Sequence, residues 1–245
     1  MMMLMTILIA FLFMTDVQAA QLPVRAAVPA GLPPPLLFEK EEELTGIVPE
    51  YTRALVDILG RKGTLSLLPR NRLIKYLHKG SIDFLCYTSY AWADEKDTYN
   101  WADTLFMKRE FILGPAPMPK DFSGLKGKTI GTMLAYFYPK LDKMFKDGSL
   151  IREDGPTEEA NLVKLRQNHI EYLIVDEVFL NYYKKNNPEI EKGRERLSLG
   201  EYPVSCSLSK KGRVTVKELN KAIAKLKSSG KLQEIFDKYG TPVFR

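Results

Sequence analysis

The sequence predicts an α/β protein made of two units of similar size, each a mixed, mostly parallel sheet flanked by helices. Three observations predict it. Short apolar strands alternate with amphipathic helices, which calls for parallel strands joined by crossover helices. The pattern runs twice along the chain with different content. The 245 residues, 45% hydrophobic and 27% charged, are enough to bury two modest cores.

The elements follow in order. "VRAAV" (Val24 to Val28) is a strand, and a Pro/Gly-rich loop, "PAGLPPPLLFEKEEEL", leads away from it. The next helix lies within "LTGIVPEYTRALVDILG": Pro49 suits a first turn, and Tyr51, Leu55, Ile58 and Leu59 share one face. "TLSLLP" is a second strand, "RNRLIKYLHKG" a helix with Leu73, Tyr76 and Leu77 inward, and "SIDFLCYTSY" a third strand. In the second unit "REFILG" and "KTIGTM" are strands, "AYFYPKLDKMFKDG" and "TEEANLVKLRQNH" helices, "IEYLIV" a strand and "DEVFLNYYKKN" a helix. "YPVSCSLS" is a further strand. Thr215 and Glu218 form a capping box for "VKELNKAIAKLKSSG", and "KLQEIFDKYG" closes the chain as an amphipathic helix. No strand follows these last helices, so they must pack on the first unit.

The first residues stand apart. "MMMLMTILIAFLFM" followed by "TDVQAAQ" reads as a secretory signal over residues 1–19, with cleavage expected after Ala19. The apolar run is shorter than the roughly 20 residues of a membrane span, and no later stretch reaches that length. Export makes a disulfide possible between the two cysteines, Cys86 and Cys206, although two buried thiols fit as well. The formal charge of +6 comes from basic residues interleaved with acids, as in "KKNNPEIEKGRER". That is a solvated surface and gives no reason to expect nucleic-acid binding.

Five motifs in this order resemble the family 3 extracellular solute-binding proteins. They are the Leu44–Gly60 segment, "GSIDFL" (Gly80 to Leu85), "NWADTLF" (Asn100 to Phe106), "LKGKTIG" (Leu125 to Gly131) and "IVDEVFLNYYKKN". The resemblance runs from about Val24 to the C-terminus. It implies a two-lobe periplasmic-binding-protein-like fold whose lobes close over a small polar ligand. On that reading the hinge strands cross near Phe111–Gly114 and Val204–Ser207. Lobe one is then 22–112 plus 206–245, and lobe two 113–205. The resemblance also implies a monomer in the periplasm that serves a membrane permease of the ABC type. A sensor without a transporter is the alternative, and a dehydratase-like enzyme on the same fold a weaker one.

One departure bears on the ligand. Read without gaps, Glu95 stands where the family's amino-acid binders carry the Arg that clamps a ligand carboxylate. Tyr90 replaces the threonine of the same motif.

Ligand sites in open α/β sheets lie beyond the carboxyl ends of strands. That rule, with the resemblance, selects Phe38, Thr88, Ser89, Tyr90, Trp92, Thr132, Tyr136 and Asp176. Tyr90 and Trp92 would offer flat rings to a ligand. Thr132 and the backbone of residues 133–135 would open a helix toward an anion. Asp176 would cap a helix and, by resemblance, meet a ligand amine. Arg72 or Arg70 would supply a cation in place of the missing one. Catalytic, cofactor and metal motifs are not expected: the sequence has two histidines, His78 and His169, and no CxxC, HExxH, Walker or dinucleotide glycine pattern. Asp94 and Glu95 are the nearest approach to an acid pair, and as sequence neighbours on an extended segment they would point apart.

Overall fold

The computed structural model describes residues 22–39, 43–93, 95–134 and 136–244. The leader expected over residues 1–19 and Asp94 lie outside them. The first group of strands comprises β1 (Val24–Pro29), the short pair β2 (Phe38–Glu39) and β3 (Leu44–Thr45), β4 (Gly63–Leu68), β5 (Phe84–Thr88) and β6 (Asn100–Trp101). Two helices fall among them, α1 (Ile47–Ile58) and α2 (Arg70–Lys79). The long strand β7 (Phe106–Pro115) leads into the second group: β8 (Thr129–Met133), α3 (Asp142–Lys146), β9 (Ile151–Gly155), α4 (Glu158–Arg166), β10 (Tyr172–Asp176) and α5 (Glu177–Lys184). The longer β11 (Arg194–Leu208) returns, and α6 (Val216–Ser228) and α7 (Lys231–Lys238) end the chain.

Hydrogen bonding joins the strands in the order β4-β1-β5-β11-β7-β10-β8-β9. The join depends on one strand used end to end. β11 pairs with β7 over Arg194–Val204 and with β5 over Ser205–Leu208, with a register break between Ser205 and Cys206. The apolar cores divide in the same way. Val24, Val28, Tyr51, Phe84, Phe106 and Val204 belong to one core that α1, α6 and α7 cover. Leu113, Leu162, Leu173 and Phe179 belong to another, under α4 and α5. Along β7 the change falls between Phe106 and Phe111, and along β11 between Leu199 and Val204. The two closing helices thus return to the first unit as their lack of a following strand requires. They bring Leu219, Ile223, Leu226, Ile235 and Phe236 onto it.

Two residues of the sequence motifs take structural roles. Gly46 has φ 113°, and a Cβ there would meet the carbonyl oxygens of Leu36 and Pro35 at 2.8 and 2.9 Å. Without it, Ile47 N and Val48 N donate to Pro35 O and Leu36 O at 3.0 Å each, so the proline loop caps α1. Asp83 is buried and accepts from the backbone N–H groups of Arg25 (2.7 Å) and Arg213 (2.9 Å) and from the Arg25 guanidinium (2.7 Å). Burial alone would raise its pKa, but these bonds outweigh it and hold the carboxyl below the usual range. Asp83 therefore ties β1 to the turn after β11.

Three elements differ from the sequence reading. The helix expected over residues 135–148 shrinks to Asp142–Lys146, because Pro139 restricts the residues before it and Tyr138 turns back to accept from Met133 N at 3.0 Å. β9, with charged Arg152, Glu153 and Asp154, is an edge strand that hydrophobic alternation does not reveal. β11 is much longer than its apolar C-terminal half.

Cys86 and Cys206 face each other in the β5–β11 register and form a disulfide with a sequence separation of 120. A loop of that order restricts the unfolded chain by about 4–5 kcal/mol. Replacing both cysteines by Ser should therefore lower the urea-unfolding free energy by that amount or somewhat less. Reduction of the native chain should have the same effect, and the double variant should not respond to reductant.

Candidate functional site

A cleft of about 290 Å³ lies between the two units, at the small end of the range of ligand pockets. Pro33, Leu36, Arg70, Tyr87 and Trp92 line it from the first unit. Tyr136, Phe137, Glu158 and Asp176 line it from the second, and Lys108 and Glu110 on β7 form part of it between them.

Local structure places each side chain. The proline loop, held by Gly46, presents Pro33 and Leu36. Arg70 opens α2. Tyr87, the residue before the last of β5, has φ 65°, which breaks strand alternation and lets its ring pack beside Trp92, 6.3 Å away. Lys108 and Glu110 are two apart on β7 and so share a face. Arg152 donates to Met133 O and Tyr136 O, both at 2.9 Å, and so shapes the loop that carries Tyr136. Asp176 ends β10 opposite Glu110 and caps α5, accepting from Val178 N at 2.7 Å and Phe179 N at 3.2 Å. Glu158 is the first residue of α4 after the Thr157 cap.

The electrostatics centre on Lys108, which is 7% exposed. Its Nζ donates to Glu110 Oε1 and lies 3.2 Å from Asp176 Oδ2 and 5.7 Å from the Trp92 ring centroid. Burial alone would lower its pKa, but the two carboxylates outweigh burial and hold the ammonium well above the ordinary lysine value. Glu158 has no such partner. It is 6% exposed, and its Oε2 is buried without a hydrogen bond. Burial, with the charge of Asp176 added, pushes its carboxyl well above the usual range. Burial likewise raises the Tyr87 and Tyr136 hydroxyls. At the mouth, Arg70 Nη2 donates to Tyr136 Oη at 3.0 Å and its guanidinium lies 5.0 Å from that ring. This contact joins the two units.

Of the expected site residues, Trp92, Tyr136 and Asp176 meet in the cleft. The others are placed elsewhere, each for a visible reason. Arg72 is exposed on the outer side of α2 among Lys75, Tyr76 and Lys79, so Arg70 is the arginine that reaches the cleft. Phe38 packs against Tyr182 and Tyr239, with ring centroids 6.0 and 5.9 Å away. The Thr88 hydroxyl is taken up by Ser205 O (3.1 Å) and Ser207 Oγ (2.9 Å), and buried Ser89 caps a short turn at Ala91 N (3.4 Å). Tyr90 is 51% exposed and packs edge-on to Trp101 on the outer surface. Thr132 is buried and donates to Asp154 Oδ1 at 2.7 Å, and among the described residues, which leave out Ala135, no helix starts beside it. Glu95 is exposed near His78 Nε2 (3.5 Å), outside the cleft, so its charge does not face a ligand there.

The sequence reading missed Lys108, Glu110 and Glu158. A signal existed for the first two. In "FMKREFI" they fall on the same alternation as Phe106 and Ile112, which puts charges on a buried face. Glu158 and Glu159 look alike as first-turn acids, and only packing separates them. A larger open groove of about 620 Å³ runs beside β4, but Arg53 and Arg61 there are spent on backbone carbonyls. Among the described residues no cluster could hold a metal ion, and no helix is long and apolar enough to cross a membrane.

A cleft between two sheet units joined by crossing strands is the architecture of the two-lobe solute-binding proteins. The sequence pattern of the bacterial extracellular solute-binding proteins, family 3, matches residues 24–242, and the chain belongs to that family. It is 26% identical over 216 residues to the L-cystine-binding protein TcyJ of Escherichia coli K12, covering 85% of this chain and 79% of that one. The fold is that of an ancestral arginine-binding protein bound to arginine, with a TM-score of 0.66, 21% identity and coverage of 89% and 97%. It is also that of the unliganded, open L-cystine solute receptor of Neisseria gonorrhoeae, with a TM-score of 0.66, 17% identity and coverage of 91% and 94%. The family is one of solute receptors rather than enzymes.

Replacing Lys108 by Met would strand Glu110 and Asp176 without their cation. Thermal or urea unfolding should show a loss of about 3–5 kcal/mol. Glu158→Gln should act in the opposite sense. A folded-state carboxyl held above its unfolded value costs nothing at low pH. It costs stability increasingly as pH rises past the unfolded pKa of about 4.3. The variant should match the native chain near that pH in a pH series of melting curves and exceed it progressively above.

Proposed function

We propose that the chain is an exported periplasmic receptor that captures a small amine-bearing, amino-acid-like solute in this cleft and presents it to an ABC-type permease. The observation that carries this reading is the composition of the cleft. Both units supply walls, and its floor holds more carboxylates than cations, with Glu158 Oε2 left with neither a hydrogen bond nor an ion pair among the described residues. Such a floor suits an ammonium group. Arg70 at the mouth suits the carboxylate at the other end of a zwitterion. Trp92, Tyr87 and Tyr136 provide ring surface between them. TcyJ and the solved relatives bind cystine or arginine by their names, which agrees in chemistry.

Capture proceeds by population shift: a solute that touches both walls favours the closed arrangement. The division of the cores supports a hinge at Met107–Glu110 on β7 and Gly200–Pro203 on β11. Met107–Glu110 lies on the first-lobe side of the crossing expected near Phe111–Gly114, and Gly200–Pro203 on the second-lobe side of the one expected near Val204–Ser207. On that reading Lys108 and Glu110 belong to the hinge itself, where closure and charge are coupled. The Arg70–Tyr136 contact is then one that opening must break.

A melting-temperature screen against L-cystine, L-arginine, L-glutamine and L-glutamate tests the reading. A ligand at 100 times its Kd should add about 2.7 kcal/mol, or roughly 5–10 °C for a chain of this size. Small-angle scattering should show a more compact particle with that ligand. Arg70→Ala, at an exposed position, should leave the unliganded melting temperature nearly unchanged. It should weaken binding about 10- to 100-fold, the worth of a charged hydrogen bond. No shift with any of the four would refute the amino-acid reading.

A further inference from the structure

We propose that Glu158, rather than Asp176, is the carboxylate that takes the protonated amine of the solute, and that its ionisation is coupled to capture. The inference rests on the reading of the cleft as the solute site. The three floor carboxylates are not equivalent. Asp176 spends one oxygen on the α5 N-terminus and sets the other beside Lys108. Glu110 accepts from Lys108. Lys108 is thus a tethered ammonium that already occupies the ground between these two. Two buried carboxylate oxygens of the cleft lack a hydrogen bond, Asp176 Oδ2 and Glu158 Oε2; the first has the Lys108 ammonium 3.2 Å away, and the second, at the start of a nine-residue helix, has no ion-pair partner among the described residues.

The groups around Glu158 come from every element that packs there. Lys108 and Glu110 lie on β7, Asp176 at the end of β10, and Glu159 beside it on α4. Tyr136 and Tyr87 face it from the loop after β8 and from β5. Arg70 completes the lining from α2. Burial above all, with three carboxylates among these neighbours, raises the Glu158 carboxyl and favours its protonated form in the empty cleft. A second ammonium, brought by the solute, reverses that balance. The Glu158 proton leaves to solvent, its carboxylate pairs with the amine, and the unpartnered oxygen gains its bond. Without such a charge the oxygen stays unsatisfied, which selects against solutes that lack an amine.

The experiment is calorimetric titration of the full chain with L-cystine, L-arginine and Nα-acetyl-L-arginine, near pH 5.5 and near pH 7.5, in two buffers of different ionisation enthalpy. For L-cystine or L-arginine we expect proton release on binding, tighter binding at the higher pH, and a weaker acetylated analogue. Glu158→Gln, expected to fold, should abolish the proton release and weaken binding about 10- to 100-fold, whereas Glu158→Asp should keep the release. Binding that releases no proton, an unchanged response in Glu158→Gln, or tighter binding at the lower pH would overturn this inference and leave the solute site standing. The last result would mean that Glu158 donates its proton to a solute carboxylate. Failure of every probe to bind at either pH would overturn both.

Discussion

The contact on which the rest depends is the ladder between β7 and β11, because it carries both the join between the lobes and the charges of the cleft. Strand alternation along β7 puts Lys108 and Glu110 on the cleft face, and the antiparallel register with β10 brings Asp176 opposite Glu110. A buried ammonium is tolerable only with carboxylates close by, and here two are supplied. The ion group is therefore a consequence of backbone register. It also fixes what the cleft can receive, since its floor is already partly neutralised before any solute enters.

The surrounding fold serves to hold that register while leaving the lobes distinct. Each lobe has its own apolar cores, with Val178 of α5 reaching into that of the first, and the disulfide fastens β11 to β5 just past the crossing. The first-lobe end of β11 is thereby anchored, while the stretch Gly200–Pro203 carries a register irregularity on its second-lobe side, at Ser198/Gly200. The proline loop, strapped to α1 through Gly46, and Met133 and Tyr136, held by Arg152, stand on the opposite walls. Rigid walls on a two-strand connection suit a receptor that changes shape only by relative movement of its halves.

Much of the fold was legible in the sequence, and the candidate site only in part. The helices with clear apolar faces, α1, α2 and α6, and the strands β1, β5, β8 and β10 follow from periodicity, because their burial is one-sided or complete over a whole element. The capping box at Thr215 and Glu218 forms as its spacing requires. β9 and the first half of β11 escaped because edge and hinge strands carry charge that conceals alternation. The rule that sites lie beyond strand ends found the right loops, but it does not say which side chain turns inward. Thr88, Ser89 and Thr132 sit at strand ends and spend their hydroxyls on neighbours. Arg70 and Arg72 are two apart on one helix, and a rotation of about 200° sends them to different sides. Glu95 came into question through an ungapped reading, which the irregular path after β5 does not respect.

The sequence by itself determined the two-unit α/β architecture, the return of the last helices to the first unit and the family, because hydrophobic period and motif order are local properties repeated along the chain. Tertiary structure alone decided which carboxyl is left unpartnered, which arginine reaches the mouth and whether the cysteines pair. Those outcomes depend on residues far apart in sequence: Lys108 with Asp176, Arg70 with Tyr136, Cys86 with Cys206. Burial and charge act between such residues through space, and no pattern confined to one segment contains the distance.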